Sequence, residues 1–184
     1  MSVLTPANQL TLLRMLLIPA FALLVLYGHL GTGLLVFLLA GLTDLLDGVI
    51  ARRSGQKTAL GAWLDPVADK LLLLTAFVLL TLPLPHLLHR LPVWLTVLVL
   101  SRDIGIVATV AIFNLAVEQR TFRPSIYGKL ATAIYVGTGV ITLYYNYIAR
   151  PSVVPSVFVW AALAITIVSG LHYLVRAARI IREH

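Results

Sequence analysis

The chain reads as an all-α integral membrane protein with six transmembrane helices and both termini in the cytoplasm. Three observations carry that expectation. Of its 184 residues, 60% are hydrophobic and only 11% are charged, and the mean hydropathy is +0.97; a soluble domain is about half apolar and about one quarter charged. Apolar runs of the length that crosses a hydrocarbon core, about 20 helical residues for about 30 Å, recur six times. Basic residues gather in alternate connections between these runs, the bias that marks the cytoplasmic side.

The runs cover residues 9–28, 32–52, 61–83, 92–116, 126–148 and 154–176, in one domain spanning 1–184. Gly28 to Gly31 breaks the first from the second, Pro83, Pro85 and Pro92 break the third from the fourth, and Pro151 and Pro155 the fifth from the sixth. Arg52, Arg53 and Lys57 lie between spans two and three, Arg120, Arg123 and Lys129 between four and five, and Arg176, Arg179 and Arg182 after span six. The opposite connections hold only Arg90 and Arg150. Trp63, Trp94 and Trp160 fall near span ends, where an interfacial belt is expected. The formal charge of +7 is read as topology, so no nucleic-acid partner is expected, and the basic tail is expected to meet anionic membrane lipid. The absence of cysteine excludes disulfides and thiolate metal sites. No basic region precedes the first run and Arg14 interrupts it, so a cleaved signal peptide is not expected.

Four aspartates stand out in a chain with seven acids in all. Asp44 and Asp47 are three residues apart near the end of span two, and Asp65 and Asp69 are four apart near the start of span three. Both spacings put a pair of carboxylates on one face of a helix. The short connection at 53–60 makes the two helices antiparallel neighbours, so all four can converge within roughly 10 Å of the cytoplasmic surface. Such carboxylates cannot all stay ionised unaided, because like charges repel and burial adds to the penalty. An all-oxygen site suits Mg²⁺, Mn²⁺ or Ca²⁺ rather than zinc, and four carboxylates suffice for two divalent cations of the kind used in phosphoryl displacement. Gly48 and Gly61 let a ligand approach the backbone beside the acids. Arg52, two turns beyond Asp44, is placed to meet an anion. Satisfied intramembrane ion pairs or a proton pathway remain the plainer readings of two spaced pairs alone.

The full pattern is narrower: Asp44-x2-Asp47-Gly48-x2-Ala51-Arg52-x8-Gly61-x3-Asp65-x3-Asp69. It resembles the signature of the CDP-alcohol phosphotransferase family at every position. "LDPVADK", Leu64 to Lys70, particularly resembles the branches that make phosphatidylglycerophosphate and, in the eukaryotic type, cardiolipin. The family's opening motif, Pro-Asn-x-Leu-Thr-x-x-Arg, is matched by "PANQLTLLR" with Ala7 inserted. The resemblance implies that Asp44, Asp47, Asp65 and Asp69 ligate two divalent cations, Mg²⁺ or Mn²⁺, and that Asp69 is also the catalytic base. It implies that Asn8, Thr11, Gly48, Ala51, Arg52 and Gly61 bind the CDP group. The implied reaction moves the phosphatidyl group of CDP-diacylglycerol to an alcohol and releases CMP. A homodimer in the bacterial cytoplasmic (inner) membrane, with its active site facing the cytoplasm, is the matching expectation.

A second charged island bears on the acceptor. "SRDIG" puts Arg102 and Asp103 deep in span four, where ionisable groups are functional candidates. With Arg123 and Lys129, Arg102 forms a candidate basic pocket for a phosphate-bearing alcohol acceptor. Glycerol 3-phosphate is the expected acceptor and phosphatidylglycerol the alternative. Arg102 paired with Asp103, and Arg123 and Lys129 marking topology, is the competing account. His29, His86 and His89 are read as turn histidines and His172 as a packed one; Gly31, Gly33, Gly137 and Gly139 are read as close helix packing rather than phosphate loops. The rival class is an ion-coupled transporter using the four aspartates, but transporter sites favour the midplane between repeats, and no second acidic segment matches the first.

Overall fold

The computed structural model describes residues 6–54, 59–116 and 126–182. They form six helices: α1 (Pro6–Leu26), α2 (Leu30–Ser54), α3 (Ala59–Thr81), α4 (Val93–Ala116), α5 (Ile126–Tyr147) and α6 (Val154–Arg182). No strand occurs among the described residues. Each helix falls on one of the six apolar runs, and α6 carries on beyond position 176 through the basic tail to Arg182.

Among the described residues three helices are long and apolar enough to cross a membrane, over Gln9–Leu26, Ile126–Tyr147 and Val154–Tyr173. Shorter apolar stretches, Leu30–Thr43 and Lys70–Thr81, are described in α2 and α3.

The chain divides into two compact units, one made of Met1–Arg90 with Gly139–Pro151 and the other of Leu91–Thr138 with Ser152–His184. In the first, α1 packs on α2 and α3, and α2 on α3. Phe21 and Phe37 meet with ring centroids 5.4 Å apart, above a core that includes Val25, Ala40, Leu72, Ala76, Phe77 and Leu80. Lipid tails are as apolar as leucine, so close packing rather than expulsion from water must hold such helices together. The glycines supply it. A Cβ on Gly33 would lie 3.3 Å from Val25, one on Gly139 3.3 Å from the Phe37 ring, and one on Gly31 2.6 Å from the Tyr147 ring.

The helix ends of this unit are closed by backbone geometry. Gly28, at φ 81°, follows α1, and the amides of Gly28 and His29 donate to the carbonyls of Val25 (3.1 Å) and Leu24 (2.8 Å), a Schellman closure. The connection from α3 to α4 is tied down by its histidines. His86 Nε2 bonds to the Val25 carbonyl at 2.7 Å, and His89 Nε2 to that of Arg150 at 2.9 Å. Because carbonyls only accept, both rings carry their proton on Nε2.

In the second unit α4 packs on α6. Trp94 and Trp160 lie 6.1 Å apart, and Tyr127 and His172 lie 4.7 Å apart. A Cβ on Gly137 would meet Phe158 at 3.1 Å, which makes this glycine a packing position as well.

Candidate active site

The helices that carry the four aspartates are joined by four residues, 55–58, that lie outside the described ones, so α2 and α3 run antiparallel. Counting from Ser54 and Ala59 at 1.5 Å per residue puts Asp47 about 10 Å and Asp65 about 9 Å along their helices, and Asp44 and Asp69 both about 15 Å. By this count Asp47 and Asp65 lie at similar distances from their own helix ends, and so do Asp44 and Asp69. The side chains of Asp44, Asp47, Asp65 and Asp69 lie outside the described ones, as do those of Asn8, Ala51 and Arg52 and the surroundings of Gly48 and Gly61. Asn8, the aspartates, Gly48, Ala51, Arg52 and Gly61 all sit on helix α1, α2 or α3. The donor chemistry is hard and all-oxygen in a chain without cysteine, which fits Mg²⁺ or Mn²⁺.

α1 meets this level from the other side. Thr11 lies 15 residues before the end of α1 and Asp44 lies 14 after the start of α2. The two helices are antiparallel about Gly28, so Thr11 stands level with Asp44, and by the same count Asn8 stands level with Gly48. Thr11 is wholly buried, and so is Arg14 one turn further on. A buried guanidinium must be matched by anionic or hydrogen-bonding groups, and this one sits in the helix that faces the aspartate-bearing pair. The sequence pattern contained Arg14 as the last residue of the opening motif, yet no role follows from the motif alone. A charge inside an apolar run was the available signal.

The second unit places the remaining candidates. Arg102 and Asp103 form an ion pair, with Nη1 to Oδ1 at 2.6 Å and side chains 10% and 21% exposed. Arg102 Nε also donates to Ser169 Oγ on α6 at 3.2 Å. Lys129 is exposed in the first turn of α5. Tyr135, six residues beyond Lys129 and about 9 Å further along α5, bonds to Thr166 of α6. Arg123 lies outside the described residues. Ser169 carried no sequence signal, because a serine in an apolar helix looks like a packing residue. Among the described residues no group of three His, Asp or Glu side chains offers another metal site. A groove of about 730 Å³ opens at the far end of α2 from the aspartates, lined by Gly31, Thr32, Tyr144, Asn146 and Tyr147 among others. It offers no carboxylate.

Comparison with known proteins bears on the family of the chain. The family model for CDP-alcohol phosphatidyltransferase matches residues 4–168. A Mycobacterium tuberculosis protein named as a probable phosphatidylglycerophosphate synthase is 38% identical over 181 residues, covering 94% of this chain and 81% of its own. A Haemophilus influenzae CDP-diacylglycerol–glycerol-3-phosphate 3-phosphatidyltransferase is 32% identical over 173 residues, covering 90% and 89%. The human CMP-forming cardiolipin synthase is 35% identical over 162 residues, covering 78% of this chain and 52% of its own. A transporter is not what these relatives describe, and the chain belongs to the CDP-alcohol phosphatidyltransferase family.

Proposed function

We propose that the chain transfers the phosphatidyl group of CDP-diacylglycerol to glycerol 3-phosphate, releasing CMP and forming phosphatidylglycerophosphate. The observation that carries this is the match of the CDP-alcohol phosphatidyltransferase family model to residues 4–168, a span that contains Asp44, Asp47, Asp65 and Asp69. Identity of 38% across 94% of the chain to a protein named for that synthesis supports the acceptor. Phosphatidylglycerol is the second reading, supported by the 35% identity to the human cardiolipin synthase, although over a shorter share of both chains.

In this reading Asp44, Asp47, Asp65 and Asp69 hold two divalent cations, Mg²⁺ or Mn²⁺. Bound there, the pair supplies charge neutralisation for the diphosphate and for the departing CMP. Asp69 accepts the proton of the acceptor hydroxyl as its oxygen bonds to the β-phosphorus. The bond from that phosphorus to the bridging oxygen breaks, and CMP leaves with the electron pair. Asn8, Thr11, Gly48, Ala51, Arg52 and Gly61 hold the CDP group, and Arg102, Arg123 and Lys129 meet the acceptor phosphate. All six helices span the membrane with both termini cytoplasmic. The site lies towards the cytoplasmic face of a bacterial inner membrane, where a soluble nucleotide and an acyl tail can be held at once. The homodimer implied by the family belongs to the same reading.

The test is CMP release by the full chain in membranes given CDP-diacylglycerol, with and without Mg²⁺ or Mn²⁺. Glycerol 3-phosphate and phosphatidylglycerol are offered separately, and products are identified by mass spectrometry. Release should require both metal and acceptor. Asp69→Asn should lower kcat by roughly 10²–10⁴-fold, the usual worth of a general base, while largely sparing CDP-diacylglycerol binding. Undiminished turnover in that variant removes Asp69 as the base.

A further inference from the structure

Arg102 is held on two sides, and the hydrogen-bond directions show how. Thr166 Oγ1 gives its single proton to the carbonyl of Ala162 at 2.6 Å, so the 2.7 Å bond between Tyr135 and Thr166 is donated by the tyrosine hydroxyl. Ser169 Oγ likewise gives its proton to the Thr166 carbonyl at 3.2 Å. Its lone pairs are thereby turned to the N–H of Arg102 Nε, 3.2 Å away. Asp103 Oδ1 takes an N–H of Nη1 at 2.6 Å. Nε and one donor of Nη1 are spoken for. Nη2 makes no hydrogen bond to a described residue and is not among the buried polar atoms left without a partner. A planar guanidinium fixed at one edge, with donors left at its other end, is pre-oriented to grip a phosphate.

We propose that Ser169, together with Asp103, is a positioning residue for the acceptor phosphate: it clamps Arg102 from α6 so that the free Nη donors are presented to that anion. This rests on the assignment of Arg102 to the acceptor phosphate made above. A purely structural ion pair needs only Asp103. The bond from α6 adds orientation rather than charge, and orientation lowers the cost of binding because less side-chain freedom is lost with the ligand.

The measurement is steady-state kinetics of the full chain in membranes or detergent, with whichever of glycerol 3-phosphate and phosphatidylglycerol is turned over. Ser169→Ala should raise the KM for the acceptor by about tenfold, the effect of losing one hydrogen bond to a charged group. The kcat and the KM for CDP-diacylglycerol should stay within about twofold, and Ser169→Thr, which keeps the hydroxyl, should restore the acceptor KM. Arg102→Lys, which keeps the charge but not the planar donors, should raise the acceptor KM further. An unchanged acceptor KM in Ser169→Ala beside a raised one in Arg102→Lys overturns the positioning role and leaves the acceptor assignment standing. A loss common to both substrates, or one that threonine does not repair, makes Ser169 a packing residue. An unchanged acceptor KM in Arg102→Lys removes the acceptor assignment and this inference with it.

Discussion

Asn146 does with one amide what a longer loop would need several residues to do. Its Oδ1 accepts from the backbone N–H of His89 at 2.7 Å, and its Nδ2 donates to the carbonyls of His89 and Thr142, both at 2.8 Å. The side chain is only 3% exposed, so water cannot replace it freely. Asn146→Ala leaves the His89 N–H and carbonyl short of partners, while the Thr142 carbonyl keeps its helical bond within α5, at about 1–3 kcal/mol for each group that stays unsatisfied. The expected outcome is a loss on the order of 2–4 kcal/mol, read as a lower Tm in detergent, with activity per folded molecule retained. An unchanged Tm would show that the clasp contributes nothing. Partners of this kind are invisible to sequence reading: His89 and Asn146 are 57 residues apart, and no local spacing connects them. His86 and His89 were legible as turn histidines from the prolines around them, whereas their carbonyl partners were not. Arg102 was legible as a charge out of place. That Ser169 holds it depends on how α4 and α6 pack, which no run of residues encodes.

The α5 terminus repeats the closure of α1 with the wrong residue for it. Arg150 N donates to the Tyr145 carbonyl at 3.4 Å and Ala149 N to that of Asn146 at 3.2 Å, the same pattern that Gly28 and His29 make after α1. Here the left-handed position is taken by Ala149 at φ 49°, where a Cβ costs roughly 1–2 kcal/mol. Ala149→Gly relieves that cost at the expense of a floppier unfolded chain, so the expected net gain is about 0.5–1 kcal/mol. At this chain length that is a rise of about 2 °C in Tm. A fall in Tm would mean that the methyl group makes contacts worth more than the strain. Helix identity itself was readable from length and breakers, because apolar runs of about 20 residues between prolines and glycines have few other uses. Convergence of the aspartates across α2 and α3 rests on their spacing and the short connection alone, because their side chains lie outside the described ones.

At the scale of the whole molecule, orientation decides whether the proposed chemistry is possible. The nucleotide half of CDP-diacylglycerol is water-soluble, and the acids lie towards the connection between α2 and α3, which holds Lys57 and follows Arg52 and Arg53 at the end of α2. If that connection faced away from the cytoplasm, neither a cytoplasmic acceptor nor the released CMP could exchange with the site. The excess of basic residues in three alternate segments predicts the cytoplasmic arrangement. Because the chain has no cysteine, single introduced thiols report their side without interference. Val153, 75% exposed in the connection between α5 and α6, and Gln56, between α2 and α3, bracket the bilayer in this reading. Val153→Cys should react with a membrane-impermeant maleimide in intact cells, and Gln56→Cys only after permeabilisation. The opposite pattern would place the aspartates at the outer face and leave the enzyme without access to its nucleotide. Labelling of both from outside would break the odd number of crossings, α3, α4 and α5, between those sites, and with it the six-span topology on which the cytoplasmic assignment of both termini rests.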